Sequence, residues 1–147
     1  MGMYRERELL DLQQTSTEMY RLASAWAEDM APYASCSLIE IFNLLKSLPF
    51  NPDPEDMEFL QRPWYTLNQA GEGGDCDDKA ICAGAWATLN GIPFRFVAVS
   101  KSKSEDLHHV YTEMYINGTW EAFDPTYAFN VLGRPMDAYP QRVILTP

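Results

Sequence analysis

The chain has 147 residues and a formal net charge of -10, from 21 acidic against 11 basic side chains, and it is 46% hydrophobic and 13% aromatic. That length suits one domain, which buries about 68–70% of its unfolded surface, so neither disulfides nor a metal are needed merely to fold. The acidic balance argues against sequence-independent nucleic-acid binding and against docking on anionic membranes, which rely on Lys and Arg, and the aromatic content argues against disorder.

No segment reads as targeting or membrane-spanning. Residues 1–10 are charged and lack an apolar core. The longest strongly apolar stretch, residues 81–89, falls far short of the ~20 residues that cross a bilayer. Glu6 stands where a myristoylation signal requires Ser or Thr. Cys36, Cys76 and Cys82 are an odd number without a C-x-x-C pair, which predicts reduced thiols in a cytoplasmic protein rather than a disulfide or zinc scaffold.

Residues 1 to about 48 read as helical. Leu9, Leu10, Leu12, Met19, Leu22, Ala23 and Trp26 recur at three- and four-residue spacing, and Pro32 ends or interrupts that segment. Leu38, Ile39, Ile41, Phe42, Leu44, Leu45 and Leu48 predict a second helix, apolar on more than one face and well buried. Residues 49–75 hold four prolines and three glycines, the pattern of a long irregular connection, shortened by a helical turn over 54–60. A helix rich in small residues follows over 76–90 and stops at Gly91. Strands are predicted over 94–99, 109–116 and 119–123, the last two joined by the hairpin signal Asn117-Gly118, with an edge strand over 142–145. Helices followed by one helix and antiparallel strands give an α+β fold. The chain reads as one domain over 1–147, with a helical extension over 1–50 and a core over 64–147.

Residues 73–80, Gly-Gly-Asp-Cys-Asp-Asp-Lys-Ala, are the most informative local run. Asp75 is placed to cap a helix, and Cys76 then occupies its first turn, where the partial positive charge favours the nucleophilic thiolate. The backbone N–H groups of that turn can bind a developing oxyanion. The plainer reading of Cys76 is a small buried apolar residue, which is the reading adopted for Cys36 and Cys82. A thiol nucleophile needs a base, and His108 and His109 are the two histidines; alternation along a strand lets one of them face Cys76. Asp124 follows the next strand and lies near His109 across the hairpin, where a carboxylate would orient the imidazole. Asp75, Asp77 and Asp78 lack the spacing of a calcium loop and read as capping and a solvated helix start, so no metal is expected. Glu113, on the same strand face as His109, either tunes the site or marks a cleft edge. Met57, Met114 and Met136 read as packing residues.

Four ordered blocks carry a resemblance: Gly-Asp-Cys-Asp-Asp at 74–78, Leu-Asn-Gly-Ile-Pro-Phe-Arg at 89–95, His-Val-Tyr-Thr-Glu-Met-Tyr at 109–115 and Asn-Gly-Thr-Trp-Glu-Ala-Phe-Asp-Pro-Thr at 117–126. Over about residues 64–127 the chain resembles the transglutaminase-like superfamily of papain-like thiol enzymes, most of all its short bacterial and phage members. The resemblance implies Cys76 as nucleophile, His109 as base and Asp124 as orienter, on a central cysteine-bearing helix packed against an antiparallel sheet. The family usually carries an aromatic residue, often Trp, two positions after the histidine; here it is Tyr111. Gln69 and Trp64 are candidates by position for a second oxyanion donor or a cleft wall. The expected activity is hydrolysis of a peptide or protein amide, or acyl transfer, without a cofactor. The alternative is a catalytically inactive structural module of a phage or prophage particle, docking on a virion or other protein partner through the N-terminal helices.

Overall fold

A computed structural model describes residues 3–6, 12–52, 58–68, 73–100, 107, 109–136 and 142–147. Its elements in chain order are β1 (Met3–Glu6), α1 (Leu12–Ala25), a 3-10 helix (Ala27–Tyr33), α2 (Leu38–Ser47), β2 (Glu58–Gln61), α3 (Pro63–Asn68), α4 (Cys76–Leu89), β3 (Phe94–Val99), β4 (His109–Ile116), β5 (Thr119–Phe123) and β6 (Arg142–Ile144). The fold is α+β, as the element order predicts: a four-stranded antiparallel sheet in the order β5-β4-β3-β6, a separate β1-β2 pair, and helices from the N-terminal half.

Helix α4 is the axis of the molecule. It is packed by α1, the 3-10 helix and α3 as well as by β4 and β3. Every residue from Asp78 to Ala87 is buried, so this helix has no polar face. Its alanines let the neighbours come close, and the hydroxyl of Thr112 on β4 donates to the Ala80 carbonyl at 3.0 Å. Val110 and Met114 join the same cores as α4, whereas Tyr111 clusters with Val97, Val99 and Ala122. Even-numbered residues of β4 therefore face α4, and His109, Tyr111 and Glu113 face the other side.

The hairpin between β4 and β5 turns at Asn117 and Gly118, both at positive φ (53° and 85°), as a tight two-residue hairpin requires. It sets the register Thr112 to Phe123 and Ile116 to Thr119. Phe123, opposite Thr112 on the face turned to α4, meets Phe42 of α2 edge-on, with ring centroids 5.2 Å apart. Burying side chains such as Phe42, Ile41 and Leu45 contributes about 1.5–3 kcal/mol each, and this is what holds the N-terminal helices on α4.

Several local expectations change. The first helix ends at Ala25, before Pro32, which lies inside the 3-10 helix. Trp26 breaks the helical run, with the Arg62 guanidinium 3.6 Å above its ring. Helix α2 buries one face, Ile41, Phe42 and Leu45, and leaves Ile39 49% exposed. The expected turn over 54–60 is not helical where it is described: Glu58–Gln61 is a strand paired antiparallel with Met3–Glu6, a partner distant in sequence. Residues 54–57, with Met57, lie outside the described residues. Met114 is buried and Met136 half-buried.

Candidate active site

Cys76 is the first residue of α4. The Asp75 carboxylate accepts the Asp78 N–H and the Asp78 carboxylate accepts the Asp75 N–H, both at 3.2 Å, a reciprocal cap that fixes the helix start. Asp78 is not a solvated helix-start charge. It is fully buried, and its second oxygen accepts the Gln61 N–H of β2 at 2.9 Å. Burial, and then the nearby Asp75 and Asp77, raise its pKa well above the usual carboxylate value, while the Gln61 N–H opposes the rise.

The run before Cys76 is threaded against the chain that follows α2. Asn51 N–H donates to Gly74 O at 3.1 Å and Gly74 N–H to Pro49 O at 3.2 Å, a short parallel bridge. Gly73 sits at φ 62°, and a Cβ there would lie 2.1 Å from the Pro49 carbonyl oxygen, so only glycine permits this approach.

The thiol of Cys76 contacts the Asp77 carboxylate at 3.6 Å. The backbone N–H of Val110, the residue that follows His109, favours the ionised form of the sulfur. The residue as a whole is half-buried, yet desolvation of its sulfur is the largest influence on its ionisation. Burial raises the thiol pKa well above normal, Asp77, Asp75 and Asp124 add to the rise, and the Val110 N–H opposes it. The helix-start position therefore does not by itself yield a thiolate, contrary to the expectation from the sequence. Cys82 is fully buried, its thiol also raised by burial, and Cys36 packs half-buried at the edge of the core.

His109 opens β4 and is buried. Its Nε2 lies 2.7 Å from Asp124 Oδ2, and Asp124 is wholly buried just beyond β5. The other carboxylate oxygen accepts the Thr126 N–H at 3.2 Å, and Asn130 Nδ2 donates to the Asp124 carbonyl at 3.0 Å. With Nε2–H donating to Asp124, the neutral imidazole carries its lone pair on Nδ1. The His109 ring is bracketed by Tyr111 (centroids 6.1 Å apart) and Tyr127 (5.5 Å). Tyr111 thus fills the aromatic place two residues after the histidine.

The other singled-out residues divide. Trp64, on α3, is 47% exposed; its backbone N–H donates to the Asp29 carboxylate at 3.0 Å and its ring meets Tyr65 edge-on at 5.1 Å. Gln69 and His108 lie outside the described residues. Glu113 forms ion pairs with Arg95 at 2.8 Å and with Arg142, tying β4 to β3 and β6. The residue that sequence reasoning passed over is Lys79, one turn after Cys76 and almost wholly buried. Its ammonium donates to Leu48 O at 2.8 Å and Pro125 O at 3.4 Å, joining the segments on either side of the site. A lysine inside an otherwise apolar helix face was the signal. No group of three or more potential metal-ligating side chains stands together among the described residues, and no helix among them is long and apolar enough to cross a membrane.

A sequence model of the transglutaminase-like superfamily matches residues 21–125. No curated protein matches the chain. Among solved structures, a protein from Cytophaga hutchinsonii named as a candidate cysteine protease is 21% identical, with a TM-score of 0.38, over 76% of this chain and 37% of its own. The chain thus spans little more than a third of that protein's length.

Proposed function

The chain belongs to the transglutaminase-like superfamily, and on that premise we propose that it is a thiol-dependent amide hydrolase acting on peptide or protein substrates through Cys76, His109 and Asp124. One observation carries the reading: His109, in a buried 2.7 Å pair with Asp124, opens β4 directly before Val110, whose backbone N–H favours the ionised Cys76 sulfur. Because burial and carboxylates hold the thiol protonated, His109 acts as a general base during attack rather than as the partner of a preformed thiolate. Among the described residues no hydrogen bond joins the Cys76 sulfur to the His109 ring, so substrate binding has to close the two groups together. The thiol proton then passes to His109 Nδ1 as the sulfur–carbon bond forms, and the positive imidazolium is stabilised by Asp124. The carbonyl oxygen becomes an oxyanion, for which the Cys76 backbone N–H at the helix start is the proposed donor. Collapse breaks the carbon–nitrogen bond, the imidazolium gives its proton to the departing amine, and a thioester remains. Water, deprotonated by His109, then releases the acid; a lysine amine in its place would make the reaction acyl transfer.

The test is alkylation of Cys76 by iodoacetamide at pH 7.5 in a Cys36→Ser protein, mapped by peptide mass. His109→Ala should slow it by roughly tenfold or more, and Cys76→Ala should abolish hydrolysis of a dye-labelled denatured protein. Alkylation indifferent to His109, or hydrolysis surviving Cys76→Ala, overturns the assignment.

A further inference from the structure

Beside the site lies a cavity of about 310 Å³ lined by Lys46, Leu48, Phe50, Thr126, Tyr127 and Ala128. Both its walls are continuous with the proposed catalytic groups. One wall, residues 48–50, is bridged to the chain just before Cys76 through Gly74. The other, residues 126–128, follows Asp124; Thr126 N–H is bonded to that carboxylate and the Tyr127 ring lies 5.5 Å from His109. Lys79 pins the two walls to each other through Leu48 O and Pro125 O. A side chain on a substrate whose amide reaches Cys76 has this cavity as its neighbour.

The lining is aromatic and aliphatic with one cation. Phe50 is 53% exposed, an apolar ring at an open wall. Tyr127 continues into a stack with the exposed Phe129, centroids 5.5 Å apart and rings 20° from parallel. The Lys46 ammonium donates to the Asn130 carbonyl at 3.3 Å, and no carboxylate among the described residues lies within 4 Å of it. In a chain of net charge -10, an ammonium answered by a carbonyl and by the Phe42 ring, 5.5 Å away, favours a negatively charged ligand group.

We propose that this cavity selects substrates carrying an aromatic side chain next to the reacting amide, with an acidic group nearby to meet Lys46. The proposal rests on Cys76 being the nucleophile, so the test reads the two separately. Acetylated Phe-Phe and Ala-Ala dipeptidyl fluoromethyl ketones, which alkylate an active-site thiol with loss of fluoride, are compared on the Cys36→Ser protein. The Phe-Phe probe should react at least about tenfold faster. Phe50→Ala should remove most of that preference and leave the iodoacetamide rate unchanged. Extending the Phe-Phe probe by Glu should speed it relative to extension by Lys, and Lys46→Glu should reverse that order. Equal rates for both dipeptides, with iodoacetamide alkylation still dependent on His109, overturn the cavity's role and leave the nucleophile standing. If Cys76 is inert to every reagent, the nucleophile fails, and the cavity is read in Cys76→Ala protein by titrating N-acetylphenylalanine against amide proton–nitrogen shifts. Shifts confined to Leu48, Phe50, Thr126, Tyr127 and Ala128 uphold the aromatic site; none at millimolar ligand overturns it.

Discussion

Cys76 joins two opposing influences on one sulfur. The helix end favours negative charge, while burial, Asp77, Asp75 and Asp124 disfavour it, and the second set wins. Asp77 is the closest carboxylate, 3.6 Å from the thiol. Replacing it by Asn removes a negative charge but keeps the side-chain volume. Asp77→Asn should move the iodoacetamide rate profile to lower pH and raise the rate at pH 7.5; an unmoved profile would remove Asp77 from the control of the thiol. Asp124→Asn should keep the ring in place but lose the carboxylate that holds the tautomer and balances the imidazolium, lowering kcat on the order of 10²–10⁴-fold. Hydrolysis at the parent rate would take Asp124 out of the reaction. At this scale the sequence was legible where chemistry and spacing coincide. Position relative to the Asn117-Gly118 turn brought His109 and Asp124 together, and they lie 2.7 Å apart. The buried roles of Asp78 and Lys79 were not legible, because a charged residue at a helix start looks solvated until its neighbours are known.

Among the elements, those defined by their own local pattern were read with nearly their observed bounds. Helix α4 has its cap and terminal glycine within its own sequence, and β3, β4 and β5 have alternation and a hairpin turn. The pairing of β1 with β2 was not legible, since Met3 meets Gln61 and neither segment carries the other's signal. Asp78 links that distant pair to the helix start by accepting from both Gln61 and Asp75. Asp78→Ala should leave two buried N–H groups without their acceptor and remove half of the cap. It should cost about 2–3 kcal/mol in urea unfolding. A loss below about 0.5 kcal/mol would mean that β2 is held elsewhere.

For the whole molecule, the buried thiols set the response to alkali. Burial raises Cys82 and Cys76 above the value of an unfolded thiol, and it raises Tyr20 and Tyr111 as well. Below about pH 8.5 a thiol is protonated in both states and its contribution to stability is complete. Above that the unfolded chain ionises while the folded one does not, so stability falls as pH rises toward the raised values. Lys79 acts in the opposite sense, because burial lowers its pKa and the folded chain releases that proton first. Unfolding free energy should therefore decline between pH 8.5 and 10. Cys82→Ala should make the decline shallower by about 1.4 kcal/mol per pH unit; an unchanged slope would show that this thiol does not stay protonated in the fold.

The bridge between residues 49–51 and Gly74 consists of two backbone hydrogen bonds beside residues exposed to water, whereas α4 is enclosed along most of its length. Such a seam opens at lower cost than the core. When it opens, Cys76 loses the backing of the segment bridged to Gly74 while the rest of the helix stays folded. Rising denaturant should therefore silence turnover before the fluorescence of the buried Trp86 reports global unfolding, leaving an interval in which the protein is intact and idle.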